Sequence, residues 1–116
     1  MFSFSKCIHP GCTHFAISDI DSNGTLIESG KYCYAHTENK EEIQKKIYDY
    51  IRSRDKIIGL NASGLTFNNA TFEHKGFYGC DFSHCCFVGL RTKGLRVRMS
   101  NFSFSTVSDC NLIESN

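Results

Sequence analysis

The second half of the chain repeats an apolar position every five residues. From Leu60 to Glu114 the sequence divides into eleven consecutive groups of five. The middle position of each group is mostly large and apolar, and it is occupied in turn by Ala62, Phe67, Phe72, Phe77, Phe82, Phe87, Thr92, Val97, Phe102, Val107 and Leu112. A period of five matches neither the helical 3.6 nor the strand period of 2. It therefore predicts a stacked solenoid whose units bury their apolar side chains against one another.

The other positions of the repeat form columns of their own. Two places before the central residue the side chain is mostly small or aliphatic, as at Leu65, Ala70 and Cys80. The place immediately before the central residue holds Asn or Asp in four units, at Asn61, Asp81, Asn101 and Asn111. The last place of the unit holds glycine in four units, at Gly64, Gly79, Gly89 and Gly94. These columns resemble the pentapeptide-repeat family, whose motif is a small residue, Asp or Asn, Leu or Phe, a small polar residue and Gly. CDFSH, SNFSF and CNLIE fit closely, whereas KGFYG, LRTKG and LRVRM fit poorly.

This resemblance covers about half of the chain. It implies a right-handed, four-sided β-helix with one five-residue unit on each side. Units four apart then stack, which yields the sets Phe67, Phe87 and Val107; Ala62, Phe82 and Phe102; Phe72, Thr92 and Leu112; Phe77 and Val97. The aromatic residues concentrate in the early units, so we expect the first coil to be packed best. The last coil would present unpaired backbone, which predicts a homodimer through this end or a longer solenoid.

Residues 1–37 carry a different pattern. Cys7 and Cys12 are separated by four residues, and Cys33 and His36 follow after a further twenty as a C-x2-H pair. Three thiolates and one imidazole are a common closed ligand set for structural Zn²⁺, so we predict these four as the ligands. His9 and His14 are alternative ligands.

Between the two ligand pairs the sequence predicts a β-hairpin. Residues 14–20 and 25–34 read as strands, and the Asn23-Gly24 dipeptide between them is a strong turn signal. The order of knuckle, hairpin and C-x2-H pair before a helix resembles the treble-clef class of zinc fingers. A segment this short needs a metal or a disulfide to fold, and no carboxylate stands beside the ligands as a catalytic base. We therefore expect the zinc ion to be structural rather than catalytic.

Residues 38–58 are predicted to link the two parts. Ile43, Ile47, Tyr50 and Ile51 recur at helical spacing and predict an amphipathic helix over residues 38–54. Asn39 and Glu42 form a capping-box pattern, with Thr37 as a competing cap. We expect the apolar stripe to cover the base of the repeat beneath Leu60 and Leu65. The predicted organisation is thus a finger at 1–37, a capping helix at 38–58 and a β-helix at 59–116, truncated or complete.

The composition points away from several classes of protein. A net charge of +1 gives no global attraction to nucleic acid, and no apolar run or leader pattern predicts a membrane span or a signal peptide. We expect a soluble, cytoplasmic protein. Of the seven cysteines, Cys80, Cys85 and Cys110 fall in the inward small-residue column, and Cys86 is predicted to face outward.

A few residues of the repeat are candidates for binding. Arg91, Lys93, Arg96 and Arg98 form its only basic cluster, on two adjacent units. Lys75 interrupts the small-residue column, and we expect its unit to open outward, because a buried lysine needs a partner. Outward apolar side chains that would mark a contact surface are Tyr78, Phe104 and Ile113.

These observations predict a non-catalytic protein-interaction or scaffold module. An alternative is a nucleic-acid-binding regulator or a modulator of a DNA-processing enzyme, using the finger with Lys40, Lys45, Lys46, Arg52 and Arg54. Some pentapeptide-repeat proteins resemble duplex DNA, but that requires an acidic rod. Beyond residue 58 this chain has five basic residues against four acidic ones. A third hypothesis is a metal-dependent enzyme. This function would need a zinc ligand that exchanges with water.

Overall fold

Short strands and one helix make up the regular structure of the described residues. The computed structural model describes residues 5–27 and 31–108. Its elements in chain order are β1 (Asp19–Ile20), β2 (Leu26–Ile27), α1 (Lys40–Arg52), β3 (Lys56–Ile58), β4 (Thr66–Asn68), β5 (Gly76–Tyr78), β6 (Cys86–Val88), β7 (Arg96–Arg98) and β8 (Thr106–Ser108). The predicted mainly-β class with one helix is confirmed. Within the ranges described, no helix is both long and apolar enough to cross a membrane.

The strands of the repeat pair in parallel at intervals of twenty residues. Two sheets have the orders β3-β5-β7 and β4-β6-β8. Phe67 pairs with Phe87, which pairs with Val107, and Phe77 pairs with Val97, so these predicted stacks are confirmed. Isolated parallel bridges join the intervening sides, at Asn61–Asp81–Asn101 and Thr71–Arg91. Leu112 and Ile113 lie outside the described residues.

The repeat begins one unit earlier than the sequence pattern indicated. Ile57 pairs with Phe77 in the same twenty-residue register. The unit DKIIG lacks the small and Asx columns of the motif but keeps the apolar centre and the final glycine. The residues 55–59 are therefore recognised as a unit by their pairing with residues twenty positions later, and not by their own sequence. We call residues 55–74, 75–94 and 95–108 the first, second and third layers.

Aromatic rings fill the interior of the first two layers. Phe72, Phe77, Phe82 and Phe87 are almost completely buried. Neighbouring ring centroids among these residues and Phe67 are 4.8 to 6.2 Å apart. Such offset and edge-on contacts stabilise a core beyond simple burial. The third layer is more open, because its central Val97 and Phe102 are only partly buried and Val107 is 52% exposed.

The last position of every unit has left-handed backbone. From residue 59 to residue 104 each fifth residue has a positive φ, between 52° and 84°. Glycine adopts this conformation without strain, which explains the glycine column. Five units place other residues there: Asn69, His74, His84, Met99 and Phe104. For side chains other than Gly, Asn and Asp this conformation costs roughly 1–2 kcal/mol.

The Asx column also has a local cause. The side-chain oxygens of Asn61, Asp81 and Asn101 each accept a hydrogen bond from the backbone N–H two residues later. The hydroxyl of Thr71 occupies the same place in its unit, 3.4 Å from the N–H of Glu73. These Asx and ST turns shape the sides that carry only a single bridge residue.

Helix α1 covers the open end of the first layer. Ile47 and Ile51 are fully buried, Tyr50 is nearly so, and they share one core cluster with Leu60 and Leu65 as predicted. The helix begins at Lys40 and ends at Arg52, two residues inside both predicted ends.

The predicted capping box does not form. Asn39 stands at the N-cap position, but its backbone is left-handed, with φ 55°, and its side chain makes no capping hydrogen bond. The backbone there turns from the Cys33–His36 segment into the helix, and this turn takes precedence over the side-chain cap.

Lys75 is buried, and the expectation that its unit opens outward was wrong. It is only 7% exposed, and its Nζ donates to the carbonyl oxygens of Arg52 and Arg54, at 3.3 and 2.6 Å. These acceptors lie at the C-terminal end of α1, where carbonyl groups lack helical partners and the helix dipole attracts a cation. The hydrogen bonds of Lys75 therefore connect the end of α1 to the second layer.

The N-terminal hairpin is present, and its first strand is shorter than predicted. β1 and β2 pair antiparallel, and the side chain of Asp21 accepts hydrogen bonds from the N–H groups of Asn23 and Thr25 in the turn. The residues before β1 bond elsewhere in the described ranges. The N–H of Ile17 donates to Tyr32, and that of Ser18 donates to Asn61 of the repeat.

Candidate metal centre

Two tight turns bring the predicted ligands together. In the first, the N–H of Cys12 donates to the carbonyl of His9, and Gly11 takes the left-handed conformation that the turn requires. The N–H of Cys7 donates to the carbonyl of His14, which closes the loop around both thiols. These bonds direct two sulfur atoms toward the same point.

The second turn spans Cys33 to His36. The N–H groups of His36 and Thr37 both donate to the carbonyl of Cys33. A bond from Ile8 N–H to the carbonyl of Lys31 ties this segment to the first turn. The treble-clef resemblance placed this ligand pair at the start of a helix, but α1 begins only at Lys40, after the left-handed Asn39.

The four side chains converge at distances that suit a tetrahedral ion. The ligand atoms of Cys7, Cys12, Cys33 and His36 all lie within 4.8 Å of one another. The Sγ atoms of Cys12 and Cys33 are 3.8 Å apart, and His36 Nδ1 lies 3.3 Å from Cys33 Sγ and 3.6 Å from Cys7 Sγ. Zn–S bonds of about 2.3 Å in a tetrahedron require sulfur atoms about 3.8 Å apart. The arrangement could hold a metal ion without large movement.

The alternative ligands lie outside this group. The ring of His9 stacks on that of His36, with centroids 3.8 Å apart and planes 3° from parallel. Its own Nδ1 is 3.1 Å from the carbonyl oxygen of Pro10. His14 contributes its backbone carbonyl to the loop rather than its ring. His9 therefore orients the His36 imidazole, a role that its spacing to Cys12 did not indicate.

The electrostatics of the cluster favour a thiolate at one position. Desolvation raises the pKa of Cys7, but hydrogen bonds from the backbone N–H groups of Cys33 and His9 and from His36 outweigh it and lower this pKa to about 6. A hydrogen bond from the backbone N–H of His14 lowers the pKa of Cys12. Burial of the thiol and the neighbouring Cys7 and Cys33 sulfurs have the larger effect, so the pKa of Cys12 is raised above its ordinary value. A divalent cation would displace the remaining protons, as thiolate ligation requires.

Metal ligation here would also affect the repeat, because the same segment contacts the first layer. Asn61 is completely buried and bonds to the hairpin three times. Its N–H donates to Ser18 Oγ, its Nδ2 donates to the Ala16 carbonyl, and its carbonyl accepts from Ser18 N–H. Tyr34, between Cys33 and His36, packs against Gly64. The sequence pattern assigned Asn61 only to the Asx column and missed this second role.

The predicted basic cluster lies on two adjoining sides of the repeat. Arg96 and Arg98 flank Val97 on β7, and Arg91 and Lys93 flank the buried Thr92. All four side chains are exposed, and none forms an ion pair with another residue of the described ranges.

Most cations proposed for nucleic-acid binding already have partners within the chain. Lys46 pairs with Glu42 and Arg52 pairs with Asp49. The cations of Lys40 and Arg54 lie over tyrosine rings, and Arg54 also donates to the carbonyl of Gly24. The cations of α1 thus form scattered local contacts on its surface.

The buried cysteines of the repeat have a structural environment. Desolvation on burial raises the pKa of the Cys85 thiol to about 12, and it also raises the pKa of Cys80. Both thiols stay protonated and act as small apolar side chains, as predicted. Cys86 is half-buried on the outward face of β6, and Cys110 lies outside the described residues.

Comparison with known proteins yields no relative. No family model, no curated protein sequence and no solved structure matches the chain.

Proposed function

We propose that the chain is a non-catalytic protein-interaction module with a structural zinc ion. Residues 55–108 would form a right-handed quadrilateral β-helix of the pentapeptide-repeat type. The finger at Cys7, Cys12, Cys33 and His36 and the helix α1 would close its first end. Zinc fits this set best, because three thiolates and one imidazole at tetrahedral distances are a ligand set typical of structural zinc sites.

The closely packed interior of the repeat is the observation that best supports this proposal. Rings pack at van der Waals distance through the first two layers, so the residues that a partner can reach are those on the outer sides. These sides are regular, since the buried Phe67, Phe77 and Phe87 each occupy the central position of a three-residue strand. Stacked repeat proteins generally use such extended surfaces for binding.

The zinc centre would be structural, because four protein ligands complete a tetrahedron and leave no position for water. Cobalt substitution tests this directly, since the visible spectrum of Co²⁺ reports its ligands. We expect a tetrahedral spectrum that added imidazole or cyanide does not change. A spectrum that shifts on adding these ligands would show an open position and favour the metal-dependent enzyme instead.

The interaction role is tested with the zinc-loaded chain as bait. We expect affinity purification followed by mass spectrometry to recover a small set of proteins in near-stoichiometric amount. Each must then bind the purified chain directly in a titration. If purified candidates fail to bind, the interaction module is wrong.

The nucleic-acid alternative has its own test. Binding of duplex DNA through the finger and α1 would weaken steeply with salt, since it depends on phosphate contacts. We expect no duplex binding at 50 mM salt, because most of the α1 cations already contact residues of the same chain. Tight, salt-sensitive binding would overturn this expectation.

A further inference from the structure

The charged side chains of the repeat are unevenly distributed. Five exposed cations lie on the β3-β5-β7 side and on the neighbouring side that contains Thr71 and Arg91, besides the buried Lys75; they are Lys56, Arg91, Lys93, Arg96 and Arg98. Asp55 and Glu73 are the described carboxylates on these two sides. The other two sides carry Asp81 as their one charged residue among those described. Over residues 55–108, the repeat therefore has two cationic sides and two nearly neutral ones.

Four of these cations form a continuous band, which we call the basic belt: Arg91, Lys93, Arg96 and Arg98. Arg96 and Arg98 are alternate residues of β7 and lie about 6.6 Å apart on its outer face, and Arg91 and Lys93 flank the buried Thr92 on the adjoining side. The pairs are separated by the turn at Gly94. A Cβ atom at Gly94 would lie 2.6 Å from Nδ1 of His74, so the imidazole of the layer below lies against this turn.

An aromatic surface lies directly beside the belt. Tyr78, Arg96, Val97 and Arg98 line a hollow of about 500 Å³. The far end of the Tyr78 ring lies over Gly76, where an added Cβ would come within 2.8 Å of Tyr78 Cε2. Glycine at this position thus keeps the ring against the sheet and leaves the hollow open.

Exposed apolar side chains border the same side. Ile58 pairs in register with Tyr78 and is 45% exposed, and Met99 follows Arg98 and is 78% exposed. Arginine, tyrosine and methionine are enriched in protein–protein interfaces, and tyrosine and arginine are the usual energetic hot spots. The side therefore combines charge with the composition of a protein-binding surface.

A nucleic-acid strand fits this surface less well. Single strands bind to basic grooves in which bases stack on free aromatic faces. Here the outer face of the Tyr78 ring already carries Lys56, whose Nζ is 5.1 Å from the ring centroid. The geometry favours carboxylates, which the arginine side chains can bind in bidentate fashion.

We propose that the basic belt and the hollow beside Tyr78 bind an acidic segment of a partner protein. Its carboxylates would pair with Arg96 and Arg98, and its apolar side chains would contact the exposed Ile58 and Met99. This inference rests on the proposed interaction function and specifies the surface and the chemistry of the partner.

The test uses the zinc-loaded full chain and a phage-displayed library of random twelve-residue peptides. We expect the selected peptides to be rich in Asp and Glu with interspersed apolar residues. The double variant Arg96→Glu/Arg98→Glu should weaken binding of synthesised peptides by about tenfold or more. The control Lys45→Glu/Lys46→Glu changes the net charge equally on α1 and should leave binding unchanged. Thermal melts of each variant show that the fold is retained.

The possible outcomes separate the two proposals. Peptides that bind wild type and the belt variant equally would overturn the belt but retain an interaction module. Failure to select any binding peptide would overturn the belt proposal, whereas the interaction module is decided by the direct titrations with purified partner proteins. Belt-dependent binding of a twenty-nucleotide single strand, with no peptide selected, would assign the belt to nucleic acid.

Discussion

Residues 5–37 and residues 55–108 are stabilised in opposite ways. Most units in the first two layers of the repeat bury a central apolar side chain and a smaller one two places before it, so the stability of the repeat is spread over many similar contacts. The N-terminal segment has two-residue strands and few buried side chains, and four ligand atoms within 4.8 Å of one another dominate its centre. A distributed core tolerates the loss of one contact, whereas a single centre fails as a whole.

The two regions nevertheless depend on each other. Ile17 and Ile20 belong to the same core cluster as the first layer, and Asn61 bonds to the hairpin at three points. A metal ion held by the four ligands would therefore also stabilise the edge of the repeat that contacts the hairpin. The following experiments test this division, from the largest expected effect to the smallest.

Removal of the metal should have the largest effect. Zinc binding contributes about 10–16 kcal/mol of apparent free energy in zinc-finger peptides, more than a segment this small gains from its core. We expect Cys33→Ser or chelation to unfold residues 5–37 while the repeat keeps its strands. Amide exchange measured by mass spectrometry would show this. Cys86→Ser is the control, and an equally protected N-terminal segment after chelation would contradict the prediction.

Truncation of one central ring should cost less. Phe72 is fully buried and contacts four other phenylalanine rings, so Phe72→Ala should lower the free energy of unfolding by about 3–5 kcal/mol. Phe104 is 82% exposed, and Phe104→Ala should have little effect. Urea denaturation of both variants measures the difference, and similar midpoints would be inconsistent with an aromatic core.

The link between the two regions can be cut at Asn61. Asn61→Ala removes the Asx turn and the bond to the Ala16 carbonyl, which leaves a buried acceptor unsatisfied at a cost of about 1–3 kcal/mol. Asn101→Ala removes the same turn on the exposed third layer and should cost well under 1 kcal/mol. Equal losses would mean that the side-chain bond from Asn61 to the Ala16 carbonyl contributes nothing.

The burial of Lys75 makes stability depend on alkaline pH. Desolvation lowers its pKa in the folded state, although nearby Asp55 opposes this. The unfolded chain therefore keeps a proton that the native state releases, and stability rises with pH between the lowered pKa and the unfolded value of about 10.4.

Lys75→Met should remove this rise and, by leaving the Arg52 and Arg54 carbonyls unpaired, cost about 1–3 kcal/mol at pH 7. The measurement is the difference in urea midpoint between variant and wild type from pH 8 to pH 10. A constant difference would show that Lys75 keeps an ordinary pKa.

The smallest effect concerns the left-handed column. Met99 has φ 52° and is mostly exposed, so Met99→Gly should stabilise the chain by about 1 kcal/mol through relief of backbone strain. Gly79 occupies the same column one layer earlier, and Gly79→Ala should destabilise by a similar amount. A lower melting temperature for Met99→Gly would contradict the assigned strain.

The sequence by itself determined which side chains of the repeat face inward. A five-residue period specifies an inward column wherever the units stack on themselves, and the stacks of Phe67 and Phe77 follow from it. The sequence also predicted Cys7, Cys12, Cys33 and His36 as ligands, because their spacing suits two turns joined by a hairpin. Both inferences depend on short-range patterns that recur or that carry distinctive chemistry.

Only the tertiary structure decided how the parts meet. The hydrogen bond between Asn61 and Ala16 spans 45 residues, and the one between Lys75 and Arg52 spans 23. No local sequence pattern predicts either bond. Lys75 appeared to break an apolar column, but the free carbonyl groups at the end of α1 supply its partners. Ile57 appeared to precede the repeat, but its pairing with Phe77 places it inside. The structural role of a buried polar residue depends on its hydrogen-bond partner. For Asn61 and Lys75 that partner is distant in sequence.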